Sequence, residues 1–131
     1  MAAEMGILPL ISVVDDDDSV RESLQRLIRS VGFAVRVFPS AEQFLSSDQL
    51  PHTCCLILDV RLPGMTGLEL QHKLAASHCK IPVIFITAHG DDVARVRALN
   101  NGALEYLFKP FSEESLLNAI HMSLTARPVG I

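Results

Sequence analysis

Short apolar runs alternate with helical patterns along the whole chain. Five runs rich in aliphatic and aromatic side chains predict strands, at residues 10–14, 34–38, 54–58, 81–86 and 105–108. A stretch with helical spacing of apolar residues follows each run. Strands that alternate with helices in this way form a parallel sheet covered by helices on both faces. The sequence therefore predicts an α/β fold.

Three local signals refine the helix boundaries. Ser19 and Glu22 fit a capping box that opens the first helix, and Gly32 fits the left-handed residue that closes it. Ser40 is a plausible cap for the second helix. The fourth helix is expected to carry Val93, Val96 and Leu99 and to stop at Asn101-Gly102.

Polar side chains with complementary chemistry follow four of the predicted strands. They are Asp15 and Asp16 after the first strand, Asp59 after the third, Thr87 after the fourth and Lys109 after the fifth. In open α/β sheets, ligands bind outside the carboxyl ends of the strands, so these groups are expected to converge. Carboxylate oxygens suit Mg²⁺, an Asp can carry a phosphoryl group, and Lys can bind phosphoryl oxygens. The set predicts Mg²⁺-dependent phosphoryl transfer to a carboxylate.

Each of these residues, taken alone, also has an ordinary structural explanation. An Asp run before a helix is usually capping and dipole compensation, which we favour for Asp17 and Asp18. Asp59 could start an Asx turn, and Thr87 could bond to nearby backbone. Lys109 could be a solvated charge. Only the occurrence of all these residues together, at the ends of several strands, favours a catalytic role over a structural one.

Composition limits the remaining possibilities. The 131 residues suit one domain, and the net charge of −4 disfavours direct nucleic-acid binding by this chain. No apolar stretch approaches the roughly 20 residues of a membrane span. Cys54, Cys55 and Cys79 show no metal-ligand spacing and are interpreted as buried thiols in a reducing compartment, so a cytoplasmic location is expected.

With these residues in place, the chain resembles the receiver domain of bacterial two-component response regulators, from about Leu10 to Leu124. The resemblance rests on the order and spacing of four segments. Two further segments, 20–24 and 87–91, resemble the FixJ-type subgroup. The four segments are Val13-Val14-Asp15-Asp16, residues 58–67 around Asp59, Ile86-Thr87-Ala88, and Tyr106-Leu107-Phe108-Lys109-Pro110-Phe111.

The resemblance implies a (βα)5 flavodoxin/CheY-like fold, with a five-stranded parallel sheet in the order 2-1-3-4-5, and a role for each signature residue. It implies Mg²⁺ as cofactor, with Mn²⁺ or Ca²⁺ as substitutes. Asp59 is similar to the phosphoacceptor, and Thr87 and Lys109 to the pair that binds the phosphoryl group. Arg61 and His89 occupy positions that often tune the lifetime of the phosphoryl group. The implied metal ligands are Asp15, Asp16, Asp59 and the backbone carbonyl of Arg61, and the implied switch residues are Thr87 and Tyr106.

The resemblance also implies partners and boundaries. A sensor histidine kinase would supply the phosphoryl group, and phosphorylation would change the face made by the fourth helix, fifth strand and fifth helix. Homodimerisation through part of that face is expected, with no separate substrate turnover and no membrane partner. Residues 8–124 form the expected receiver, and 125–131 a tail or a linker to a DNA-binding output domain.

Two alternatives stay open from the sequence. One is a receiver that acts alone, without an output domain. The other is a phosphohydrolase of the haloacid dehalogenase type, because Asp15-Asp16-Asp17 after a strand fits its opening motif. That alternative leaves Asp59 without a role, and Glu113 and Glu114 stand at the opening of the last helix rather than at a strand end.

Overall fold

A computed structural model describes residues 8–88 and 92–125. In this part of the chain, five strands alternate with five helices, and a short 3-10 turn (Leu50–His52) precedes the third strand. The elements are β1 (Leu10–Val14), α1 (Asp18–Ser30), β2 (Ala34–Phe38), α2 (Ala41–Ser46), β3 (Thr53–Asp59), α3 (Gly67–Ala76), β4 (Val83–Thr87), α4 (Asp92–Asn100), β5 (Glu105–Phe108) and α5 (Glu113–Thr125).

The strands form one parallel sheet in the order β2-β1-β3-β4-β5. The predicted fold class and strand order are confirmed. β1, β3 and β4 lie inside the sheet, and their residues are almost all buried because helices cover both faces. This order brings the carboxyl ends of β1, β3, β4 and β5 side by side, which positions the site.

Two apolar layers hold the helices on the sheet. On one face α2, α3 and α4 cover the sheet with Phe44, Leu70 and Ala98 among the buried residues. On the other face α1 and α5 contribute Ile28 and Ile120. Full burial of each large aliphatic or aromatic side chain contributes about 1.5–3 kcal/mol, so these two layers supply the main stabilisation of the fold.

Some local predictions are confirmed and others are corrected. Ser40 caps α2 by accepting from the Gln43 N–H, and Gly32 has φ of +100°, as its place after α1 requires. The capping box at Ser19 is wrong, because α1 begins at Asp18 and its cap is Asp17, which accepts from two backbone N–H groups. The Asp17 carboxylate also places a negative charge at the positive end of the helix dipole.

The fourth strand and the cysteines also differ from prediction. β4 begins at Val83 rather than at residue 81, and the preceding Pro82 has no N–H for a sheet ladder. Cys55 is fully buried, whereas Cys54 and Cys79 are only half-buried. The prediction of three buried thiols therefore holds for one of them.

Helix α4 buries small residues rather than its large ones. Ala94 and Ala98 face the core, while Val93 and Val96 are 71% and 50% exposed. α5 ends at Thr125, and residues 126–131 of the expected tail lie outside the described residues. Among the residues that are described, no helix is long and apolar enough to cross a membrane.

Candidate functional site

Asp15 is placed by the chain immediately after β1. Its N–H donates to the carbonyl of Phe38 at 3.1 Å, one step beyond the β1–β2 ladder, and its side chain is completely buried. One carboxylate oxygen, Oδ1, accepts from the Asp17 N–H at 2.9 Å. The neighbouring Asp16 is exposed, so the acidic pair combines one buried and one solvated carboxylate.

Asp59 is the last residue of β3 and is 6% exposed. Its Oδ1 accepts from the Arg61 N–H at 3.0 Å, which leaves Oδ2 facing Lys109. The pKa of Asp59 is raised to about 6, mainly because burial disfavours the charged form. The charge on Asp15 acts in the same direction, while the Arg61 N–H and Lys109 act to lower the pKa. The carboxylate thus lies where its negative charge is costly without a cation.

Lys109 brings one positive charge into this acidic group. Its ammonium is 2.9 Å from Asp15 Oδ2 and 3.4 Å from Asp59 Oδ2. Burial acts to lower the pKa of Lys109, but hydrogen bonds and charge attraction from Asp15 and Asp59 prevail, so the pKa is raised. The backbone directs the side chain, since the Lys109 N–H donates to the Thr87 carbonyl at 2.7 Å.

Three carboxylates meet at this point. One oxygen from each of Asp15, Asp16 and Asp59 lies within 4.8 Å of the others. Carboxylate oxygens at this spacing fit a hard divalent cation, and Lys109 alone cannot balance three negative charges. The convergence predicted from the strand ends is therefore present.

The other predicted residues lie close by in the fold. Thr87 ends β4 beside the site and is 1% exposed. Tyr106 on β5 is buried, with its ring centroid 6.0 Å from that of Phe85 and 5.4 Å from that of Phe108. Arg61 follows Asp59 and donates its N–H to it. His89, one of the two lifetime positions, lies outside the described residues.

The structure adds two residues that the sequence reasoning did not single out. The guanidinium of Arg21 in α1 donates to the backbone carbonyl of Asp15 at 2.7 Å and pairs with Asp18. Glu42 in α2 accepts the Met65 N–H at 2.8 Å, in the loop after β3. Both belong to helices that begin near the site, and in a sequence they are typical of charged helix ends.

Gly67, at the start of α3, packs against the phosphoacceptor candidate from behind. A Cβ at this position would overlap the carbonyl oxygen of Asp59, and the Gly67 N–H donates to the Val60 carbonyl at 3.0 Å. The position therefore requires glycine for close approach of two backbone segments.

Comparison with known proteins identifies this arrangement. The family model described as the response regulator receiver domain matches residues 11–121. Nodulation protein W of Bradyrhizobium diazoefficiens is 50% identical over 117 residues, which cover 89% of this chain and 52% of that protein. Response regulator protein TmoT of Ectopseudomonas mendocina is 47% identical over 119 residues, which cover 91% and 54%. The chain thus spans about half the length of these relatives.

Solved structures agree with the sequence relatives. The structure of the response regulator StyR has a TM-score of 0.85 and 50% identity, over 92% of this chain and 61% of that one. The FixJ-N structure has a TM-score of 0.82 and 35% identity, over 94% and 98%. A family match over most of the chain, with the acidic cluster at the expected strand ends, shows that this chain belongs to the response regulator receiver domain family.

Proposed function

We propose that Asp59 accepts a phosphoryl group and that the other residues of the site position and neutralise it. The observation that carries this proposal is the environment of the Asp59 carboxylate. One oxygen is held by the Arg61 N–H, and the other faces the Lys109 ammonium within a group of three carboxylates. A carboxylate held in this way has a defined attacking oxygen, which is how positioning accelerates phosphoryl transfer.

Mg²⁺ is the cofactor that this donor set fits best, with Mn²⁺ or Ca²⁺ as substitutes. Asp15, Asp16, Asp59 and the Arg61 carbonyl would hold the ion. When bound, the ion supplies charge neutralisation for the phosphoryl oxygens and the carboxylates. Lys109, already hydrogen-bonded to Asp15, would bind a phosphoryl oxygen, and the Thr87 hydroxyl would donate to another.

The donor in this proposal is a phosphohistidine of a sensor histidine kinase. The P–N bond of the donor breaks and a P–O bond to Asp59 Oδ2 forms. The imidazole nitrogen keeps the bonding electron pair and takes a proton. The domain then turns over no substrate other than its own phosphoryl group. Support comes from the family membership. A cytoplasmic location, where such a kinase would meet the domain, is part of the same proposal.

Intact-mass spectrometry after incubation with acetyl phosphate tests the acceptor. We expect one added phosphoryl group that requires Mg²⁺ and is absent from the Asp59→Asn variant, because the amide is not a nucleophile. Oδ1 of the amide still accepts from the Arg61 N–H, so the variant is a matched control for geometry. An adduct that persists on this variant would place the acceptor elsewhere.

Phosphorylation is proposed to act through α4, β5 and α5, with Thr87 and Tyr106 as the switch residues. Exposed apolar side chains on this face support homodimerisation of the phosphorylated form. Val93 and Val96 of α4 and Phe108 of β5 are large and exposed. The relatives include proteins named as transcriptional regulators and are about twice as long as the match, which supports a DNA-binding output domain in the full-length protein.

Sedimentation velocity with and without beryllofluoride tests the dimer. Val96→Lys is expected to abolish the beryllofluoride-dependent dimer, because a charge in an apolar interface is costly. Val31→Lys is the control, since Val31 is 43% exposed but lies at the end of α1. Equal loss in both variants, or no dimer in the unaltered chain, would refute this interface.

The stand-alone alternative differs only in the absence of an output domain. The length of the relatives favours a receiver that is joined to an output domain. The phosphohydrolase alternative has no support in the site. Asp59, which that reaction does not use, lies at its centre, and Glu113 and Glu114 open α5. Turnover of p-nitrophenyl phosphate by the purified chain would revive it.

A further inference from the structure

The loop between β3 and α3 carries a proposed metal ligand and bends sharply. Residues 60–66 connect Asp59 to α3, and the Arg61 carbonyl belongs to this loop. Gly64 has φ of +74° and follows Pro63, a sequence typical of a tight turn. Met65, which would close such a turn with its N–H, donates instead to the carboxylate of Glu42. The bend thus donates its hydrogen bond to a residue of α2 rather than closing it within the turn.

Glu42 lies against the loop through two contacts. Its Oε2 is 2.8 Å from the Met65 nitrogen, across 23 residues of sequence. A Cβ at Gly64 would come within 2.5 Å of the same oxygen, so the carboxylate packs directly on the glycine. The hydrogen bond from Met65 also lowers the pKa of Glu42. The carboxylate therefore binds the loop in its charged form.

Helix α2 gives Glu42 a firm base. Its neighbours Ala41 and Phe44 are completely buried, and Ser40 caps the helix at 3.1 Å from the Gln43 N–H. The ring of Phe44 also packs edge-on against Phe38. Glu42 itself is exposed on the side that faces the loop. A fixed helix thus presents one carboxylate to the middle of the loop.

The loop has little freedom between its anchors. At one end the Arg61 N–H is bound to Asp59, and at the other the Gly67 N–H is bound to the Val60 carbonyl. Leu62 is buried, and Pro63 fixes its own φ. Because the loop is held at both ends, any rearrangement on release of Met65 from Glu42 would be confined to residues 61–65, the segment that includes the Arg61 carbonyl.

We propose that Glu42 is a positioning residue of the cation site, which holds the β3–α3 loop so that the Arg61 carbonyl faces Asp15, Asp16 and Asp59. This inference rests on the proposed metal site and adds a residue from α2 to it. Groups that orient metal ligands from behind commonly change metal affinity by about 10–100-fold when removed. Because Glu42 is exposed, the lower end of this range is expected.

Two substitutions separate the reach of Glu42 from its charge. Glu42→Asp keeps the charge but is one methylene shorter, so it cannot keep both the helix position and the bond to Met65. Glu42→Gln loses the charge but keeps an oxygen at the same reach. We expect Glu42→Asp to raise the half-saturating Mg²⁺ concentration about 10-fold, and Glu42→Gln to stay within about twofold of the unaltered chain.

The measurement is the rise in melting temperature with Mg²⁺ at constant ionic strength, which requires no phosphorylation. The Mg²⁺ dependence of modification by acetyl phosphate is a second readout. Ser40→Ala is the matched control, because it weakens the same helix without touching the loop. It is expected to lower the melting temperature and to leave the half-saturating Mg²⁺ concentration unchanged.

The outcomes distinguish this inference from the proposed function. Unchanged Mg²⁺ affinity in Glu42→Asp, with normal Mg²⁺ binding and phosphorylation in the unaltered chain, would overturn the role of Glu42 alone. An equal loss in Ser40→Ala would mean that helix stability, not the hydrogen bond, is responsible. An equal loss in Glu42→Gln would overturn the positioning role, because this variant keeps an oxygen within reach of the Met65 N–H. No Mg²⁺ effect in the unaltered chain would overturn the metal site and this inference together.

Discussion

The sheet buries two kinds of polar groups, and they differ in how their hydrogen bonds and charges are compensated. At the carboxyl edge of the sheet, the side chains of Asp15 and Asp59 are buried, with the Lys109 ammonium between them. Deeper along β1 and β3, Ser12 and Thr53 are buried as neutral hydroxyls 2.7 Å apart, and Thr53 also donates to the Gln49 carbonyl. The hydroxyl pair is satisfied within the protein, whereas the acidic group carries excess negative charge.

A second pair of buried, neutral polar side chains lies on the other face of β3. The buried Cys55 thiol lies against Ser123 of α5, whose hydroxyl donates to the Ile120 carbonyl. Such pairs stabilise the fold because buried polar atoms have partners. The acidic group destabilises the fold instead, since its carboxylates repel one another and lose hydration. An arrangement that costs stability in the metal-free protein is typical of a functional site.

The largest contrast is expected from Asp59→Asn. The substitution should abolish phosphorylation completely and also raise the stability of the metal-free protein by about 1–2 kcal/mol, because it removes one of three crowded carboxylates. Urea unfolding in EDTA measures the second effect. A variant that is less stable than the unaltered chain would show that the acidic group is not strained.

Mg²⁺ should relieve the repulsion among the carboxylates of the acidic group and leave the Ser12–Thr53 pair unaffected. Because the ion binds the folded chain, stability should rise by about 1.4 kcal/mol for each tenfold excess of Mg²⁺ over its dissociation constant. Thermal unfolding at constant ionic strength measures this rise, which should be much smaller in Asp59→Asn and undiminished in Ser12→Ala. A melting temperature that millimolar Mg²⁺ leaves unchanged would contradict the site.

The Cys55 pair should respond to alkaline pH. Burial raises the pKa of the Cys55 thiol from 9.0 to about 11, an effect that the neighbouring Ser123 hydroxyl only partly offsets. A group whose pKa is raised by folding stabilises the fold below its unfolded pKa, and the contribution is lost as pH rises toward the folded value. Between pH 8 and 10 the unaltered chain should lose about 1 kcal/mol more than Cys55→Ala, as urea unfolding would measure. Parallel losses would argue that the thiol ionises without penalty.

The hydroxyl pair should give the smallest effect. Ser12→Ala removes one hydrogen bond but leaves Thr53 bound to Gln49, so the cost should be about 1 kcal/mol. Phosphorylation by acetyl phosphate should proceed at the normal rate in this variant. Slower phosphorylation would mean that the two regions of the sheet are coupled.

Much of the site could be predicted because its residues follow strands. Asp15, Asp59 and Lys109 each come directly after, or at the end of, an apolar run, and a parallel sheet brings such positions to one edge. The structure confirms that they meet. The contacts of Arg21 and Glu42 could not be predicted in the same way, because a charged residue in the first turns of a helix is usually explained by the helix dipole.

Local sequence patterns also failed to predict a helix cap or a buried helix face where two sets of residues fitted equally well. Asp17 and Ser19 both suit a helix cap, and the structure chooses Asp17. In α4 the valines and the alanines both have helical spacing. In the structure Ala94 and Ala98 face the core, and Val93 and Val96 are exposed.

The sequence by itself determined the alternation of strands and helices, the parallel sheet and the acidic residues at its edge, since each follows from short-range patterns and from the rules of parallel sheets. Only the tertiary structure decided which groups share a hydrogen bond across distant segments. It placed Lys109 between Asp15 and Asp59, and it joined Glu42 to Met65. The physical reason is that such contacts depend on where packed helices and loops come to rest, which no local pattern specifies.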